Sequence, residues 1–233
     1  MPRIGGRPTL AFLGDSHVDY LALAARRGYF GRRRYGACAV SGATALGLRN
    51  PNGRTNSVAI LNAYLARLRS DAIVVFQLGE VDCGFIIWYR AQKYHEPVET
   101  QLEQSVAGYF SFIDKAREYG RRRVIVTGAT LPTIADGQNW GEVANARREV
   151  KASLAERTAL TLRFNAGLAE GAKRRSLPFV DVSNDMIDDA TGVLRREFLN
   201  PDQRNHHLDK ERAAAVWGRA LGPALATIEN AAR

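Results

Sequence analysis

The chain has 233 residues, 45% of them apolar and 24% charged, with a formal net charge of +9. This length suits one large domain or two small ones and allows a sizeable core, and the composition is that of a globular chain. No apolar run approaches the ~20 residues of a membrane-spanning helix. The N-terminal apolar run, about five residues, falls short of the roughly 7–15 of a secretory signal core, so a cytoplasmic protein is expected. The positive charge gathers at Arg32–Arg34, Arg67, Arg69, Arg121–Arg123 and Lys173–Arg175, each just ahead of a predicted strand. Cations there complement the C-terminal ends of helices, so no nucleic-acid partner is expected.

The first strand is Thr9–Leu13, and it stops at Gly14-Asp15-Ser16-His17. Val18, Leu21, Leu23 and Ala25 then mark a helix from about Asp15 to Arg27. Ser16 therefore stands where a strand ends and a helix begins. Free backbone N–H groups and the positive end of the helix dipole collect there. Ser16 and Asp15 are also good helix caps, and on these residues alone that reading stays open. Tyr35–Val40 is a second strand, ending in the turn Ser41-Gly42-Ala43-Thr44. Residues 47–56 read as loop, and Ser57–Arg69 as an amphipathic helix.

Ala72–Leu78 is a third strand, and Ile73–Phe76 within it form a continuous apolar run, as in a strand buried on both faces. It ends in Gly79-Glu80-Val81-Asp82-Cys83-Gly84, and the aromatic segment Phe85–Arg90 follows. A helix covers roughly Glu99–Tyr119 and a fourth strand Arg123–Thr127. The loop through Pro132, Gly137, Trp140 and Gly141 is long enough to overhang a site. Glu142–Arg174 is helical, as one helix or as two broken near Thr158–Thr161. Pro178–Val182 is a fifth strand, 183–206 mixed loop, and 209–230 the last helix. Cys38 and Cys83 fall on strands flanking the first, roughly 10 Å apart. A disulfide needs Cα atoms within about 7 Å, so two free thiols are expected.

Alternation of strand and helix five times over implies a parallel sheet with helices on both faces. Right-handed crossovers place the carboxyl end of every strand on one edge, where ligands bind in open α/β sheets. The turns holding Ser16, Gly42 and Gly79–Asp82 all lie on that edge.

In kind, order and spacing, Gly14-Asp15-Ser16-His17, Gly42, Gly79-Glu80-Val81-Asp82 and His206-His207 resemble the blocks of the SGNH/GDSL hydrolases. That family contains esterases, lipases and carbohydrate deacetylases. The resemblance spans residues 9 to about 230. It implies a flavodoxin-like three-layer α/β/α sandwich with strand order 2-1-3-4-5. It makes Ser16 the nucleophile, with the backbone N–H groups of Ser16 and Gly42 as oxyanion donors. His207 becomes the base, with His206 in reserve. No metal or other cofactor is implied.

Two blocks depart from the family pattern. The third oxyanion donor of the family is an Asn side chain, and Val81 stands in its place. Loss of one such donor typically costs ~2.7–4 kcal/mol. Arg90 is the candidate substitute, and Asp82 more simply braces its turn. The family also sets an aspartate three residues before its histidine. Here Arg204 precedes His207 by three, and Asp202 is the nearest upstream acid, placed to orient the ring if the loop bulges. His17, Arg90 and Trp88 are assigned to substrate contact, and Trp88, Tyr89 and Trp140 read either as a shield or sugar-stacking platform or equally as core aromatics. The expected reaction is cleavage of a small-molecule or glycan acyl ester through an acyl-enzyme on Ser16. Two alternatives stand beside it: an O-acyltransferase, if the site shields the acyl-enzyme from water and admits another hydroxyl, and a non-catalytic binding protein on the same fold, which Val81 and the displaced aspartate motivate.

Overall fold

The computed structural model describes residues 8–121, 123–137 and 150–230. Arg122, Trp140, Gly141 and the first residues of the expected Glu142–Arg174 helix lie outside this set.

Five parallel strands form one sheet: β1 (Leu10–Gly14), β2 (Tyr35–Ala39), β3 (Ile73–Gln77), β4 (Val124–Thr127) and β5 (Phe179–Val180). Their order is β2-β1-β3-β4-β5, as the resemblance implies. Successive side chains of a strand point to opposite faces, and both faces are apolar here. Leu10, Phe12, Ile73, Val75 and Ile125 face α1 (Val18–Arg26) and α7 (Lys210–Asn230). Ala11, Leu13, Val74, Phe76 and Val126 face α2 (Ser57–Arg67), α4 (Val98–Glu118) and α5 (Leu154–Arg174). Every residue of β1 and β3 is buried, so Leu10–Leu13 and Ile73–Phe76 read as unbroken apolar runs. Each large side chain so buried contributes ~1.5–3 kcal/mol relative to exposure.

Gly14 ends β1 where no side chain fits. A Cβ there would stand 1.7 Å from the Gln77 carbonyl oxygen of β3. That close approach stops the strand and lets Asp15 N–H reach the same carbonyl at 3.2 Å. The chain then turns through Ser16 and His17 before α1 starts at Val18, three residues later than the sequence suggests.

The basic residues do structural work on the opposite edge. Arg121 Nη1 donates to the Leu68 and Arg69 carbonyls, both at 2.9 Å, just past the end of α2. Arg123 Nη1 donates to the Asp71 carbonyl at 3.2 Å.

Some elements differ from expectation. Of the two readings of the segment around Thr158–Thr161, the continuous one holds, and α5 runs unbroken through it. Thr158 and Thr161 donate their hydroxyls to the Leu154 and Arg157 carbonyls one turn earlier, at 2.7 and 2.9 Å. The helix starts in a capping box, with Ser153 and Glu156 bonding each other reciprocally. The fifth strand shrinks to two residues. Its neighbour Asp181 turns its carboxylate onto Ser183, accepting N–H at 3.0 Å and Oγ at 2.7 Å. A short helix, α6 (Ser183–Met186), starts there, inside the expected loop. After β3 the chain takes a π turn over Asp82–Ile86 and continues into α3 (Ile87–Tyr94). Cys38 and Cys83 are free. Among the described residues, no helix is long and apolar enough to cross a membrane.

Candidate active site

Ser16 sits on the strand-end edge, in the turn between β1 and α1. Its Oγ lies 2.8 Å from Nε2 of His207, 191 residues further along the chain. His207 belongs to the loop ahead of α7. Three contacts fix that loop. Leu208 N–H donates to the buried Tyr20 hydroxyl of α1 at 2.8 Å. Leu199 and Leu208 pair as a β-bridge. Thr133 Oγ1 donates to the His206 carbonyl.

The tautomer of His207 follows from its other contacts. Its backbone N–H and its Nδ1 both meet Asn205 Oδ1, at 3.0 and 2.8 Å. A backbone N–H only donates, so the Asn205 atom there is the amide oxygen. Nδ1 must then carry the proton that faces it, which leaves Nε2 free to accept from the Ser16 hydroxyl. The ring is held neutral as well. Burial, followed by the neighbouring His17 and His206 rings, lowers its pKa from 6.5 to about 3.

The structure thus brings Ser16 and His207 together and puts Asn205 where an acid was expected. Asp202 does not reach the ring. Its Oδ1 accepts the Arg204 N–H at 3.0 Å, an Asx turn in the exposed loop. Asn205 is not singled out by the family pattern, which sets a carboxylate three residues before the histidine. The available signal was local: Asn205-x-His207 has the spacing of Asp15-x-His17, and a side chain two residues back can bond the later backbone N–H.

His17 obeys that same geometry. Asp15 Oδ1 meets both its N–H and its Nδ1, each at 2.9 Å. The His17 ring is 2% exposed and lies 5.0 Å, centroid to centroid, from the His207 ring. It is therefore buried packing against His207, in place of the expected substrate contact. Trp88 also turns inward, donating its indole N–H to the Cys83 carbonyl at 2.8 Å and packing on the core. Arg90 does not replace the missing donor. Its Nε donates to Gln101 Oε1 at 2.7 Å, and its guanidinium stacks over Tyr94.

Among the described residues, neither the Ser16 nor the Gly42 N–H has an internal acceptor. Gly42 holds φ +71°, a left-handed conformation that favours glycine. The turn after it is braced by Asp82, which is wholly buried. Its Oδ2 accepts Ala45 N–H at 2.7 Å and its Oδ1 accepts Leu46 N–H at 3.0 Å. Burial raises the Asp82 pKa to about 6 against the opposing pull of those two bonds. Val81, one residue earlier, is half-buried and has no side-chain donor.

A cavity of about 460 Å³ opens on the His207 side of Ser16. Among the described residues, no cluster of three or more His, Cys, Asp or Glu side chains is placed to hold a metal.

The fold recurs in solved structures. A GDSL-like lipase from Bacteroides thetaiotaomicron superposes with a TM-score of 0.58 at 18% identity, over 96% of this chain and 92% of that one. An extracellular lipase from Streptomyces rimosus does so at 0.52 and 17%, over 93% and 99%. A catalytic mutant of an acetylxylan esterase from Geobacillus stearothermophilus gives 0.57 and 14%, over 96% of each. No protein-family model and no curated protein matches the chain. The chain has the SGNH/GDSL hydrolase fold.

Proposed function

We propose that the chain is a serine ester hydrolase with Ser16 as nucleophile and His207 as base. The observation that carries this reading is the 2.8 Å contact between Ser16 Oγ and His207 Nε2, with Nδ1 held by Asn205. Support also comes from the fold, since its solved relatives include lipases and an acetylxylan esterase.

The reaction follows from the atoms. Neutral His207 takes the Ser16 proton at Nε2 as Oγ attacks the ester carbonyl. The carbonyl oxygen becomes an oxyanion within reach of the Ser16 and Gly42 N–H groups, donors that are fixed before the charge forms. Collapse breaks the C–O bond, and Nε2 returns its proton to the departing alkoxide. Water, deprotonated by the same Nε2, then releases the acid and regenerates Ser16. Asn205 keeps the ring oriented through both half-reactions. Asp82 holds the Gly42 turn in place. Glycan acyl esters are one substrate class within this reading.

The test is labelling with a fluorophosphonate probe. The native chain is expected to label, Ser16→Ala to lose the label, and His207→Ala to label far more slowly. A well-folded native chain that takes no label would overturn the reading in favour of a non-catalytic binding protein.

A further inference from the structure

The cavity beside His207 has a one-sided position and a one-sided chemistry. Its wall contains Ser16 and His207 but neither Gly42 nor Val81. Oxyanion donors and general acid stand on opposite sides of the attacked carbon. The cavity therefore adjoins the atom that protonates the leaving alkoxide. It is the side on which the alcohol half of an ester lies while Nε2 hands its proton over.

None of its nine lining residues is aliphatic. Asp19 Oδ2 and Lys210 Nζ face each other at 3.8 Å across α1 and α7. Asp202 and Arg204 stand on the loop opposite. Two carboxylates and two cations give the cavity no net sign, so a single strong ionic group on the ligand gains nothing. All four charged groups keep much of their contact with solvent, and an aliphatic alcohol beside them displaces some of that water without returning hydrogen bonds. A group carrying several hydroxyls donates to the carboxylates and accepts from the cations at once. The volume, about 460 Å³, lies in the range of small-molecule sites.

The geometry points to an alcohol-side subsite for a polyhydroxylated leaving group, with Asp19, Lys210, Asp202 and Arg204 as its specificity residues. This inference rests on the esterase reading above. It places Asp202 at the substrate rather than behind the histidine. Sugars and glycerol share this chemistry, and separate esters distinguish them.

The experiment compares acetate release from a mono-O-acetylated methyl glucoside, glycerol monoacetate and n-octyl acetate, with fluorophosphonate labelling in parallel. At least one polyol ester is expected to exceed octyl acetate by about tenfold or more in kcat/KM, as expected for a site that bonds substrate hydroxyls. Asp19→Leu/Lys210→Leu is expected to collapse that ratio, chiefly through KM on the polyol. Asp202→Asn, on the exposed loop, shifts the ratio the same way and serves if the double variant fails to fold. Octyl acetate cleaved as well as both polyol esters overturns the inference. So does a preference that folded variants leave intact, and so does labelling without acetate from any of the three. Neither labelling nor acetate removes the esterase reading itself, and the inference with it.

Discussion

Asn205 holds His207 through a single oxygen, which meets the histidine's backbone N–H at 3.0 Å and its Nδ1 at 2.8 Å. Asp15 holds His17 identically, with both distances 2.9 Å. The two rings lie 5.0 Å apart, so the carboxylate serves the packing histidine and the neutral amide serves the one that touches Ser16.

The amide has a consequence for pH. His207 works as a base only when neutral. The groups around it are His17 from the turn after β1, Asp19 and Tyr20 from α1, Glu80 after β3, Asp202, Arg204 and His206 from its own loop, and Lys210 from α7. Burial dominates, and the result is a pKa near 3 in place of 6.5. The neutral form is complete above that value. The acid limb of kcat/KM is therefore expected well below pH 6.5. A pH–rate profile checks this, and an acid limb at the ordinary histidine value would contradict it. In Asn205→Asp an adjacent carboxylate favours imidazolium, and the limb is expected to move up by ~1–3 pH units.

Removing the amide tests its positioning role. Asn205→Ala leaves Nδ1 without its acceptor, so the ring is free to turn and to exchange tautomers. A fall in kcat of roughly 10²–10⁴ is expected, the range of a positioned general base. KM should change little, because Asn205 acts through His207. The control is Asn205→Asp, which restores an oxygen at the same place and is expected to recover activity at pH above its shifted acid limb. A variant that raises KM and leaves kcat intact would show Asn205 acting on substrate instead.

Much of this architecture is legible in the sequence, for local reasons. The unbroken apolar runs of β1 and β3, each stopped by a glycine turn, specify a doubly covered parallel sheet and its reactive edge. The histidines ahead of the last helix specify which loop returns to that edge. Asn205 was less visible, because its role depends on the loop curling so that a side chain meets the backbone two residues on. Arg90 and Trp88 are misleading for a different reason. A polar tip on an aromatic segment looks poised for substrate, yet the π turn at Asp82–Ile86 rotates the segment inward. There Gln101 and the Cys83 carbonyl satisfy those tips.

Val81 offers a gain-of-function test. It occupies the position where the resemblance places an Asn donor, and its side chain donates nothing. Val81→Asn is expected to raise kcat, because a third donor to the oxyanion is worth up to 10²–10³ in rate. Steady-state kinetics on p-nitrophenyl acetate measures it. An unchanged kcat in a folded variant would mean that the hole is already complete without this side chain.

Asp82 ties the oxyanion turn to stability. Its carboxylate is the acceptor for Ala45 and Leu46 N–H, yet burial raises its pKa from 3.8 to about 6. A raised folded pKa means that the folded state binds the proton more tightly. The associated stability is complete below pH 3.8 and is lost as pH rises through 6. Native protein is thus expected to lose part of its stability between those values, and Asp82→Ala to lack that component. At neutral pH, Asp82→Ala also leaves the buried Ala45 N–H unpaired, at ~1–3 kcal/mol, and the half-buried Leu46 N–H at a smaller cost. Urea melts at pH 4 and 7 separate the two effects. The variant should be less stable than native at both, with the gap narrower at pH 7. A gap that widens toward pH 7 would mean that the two bonds outweigh burial and that the Asp82 pKa lies below, not above, its ordinary value.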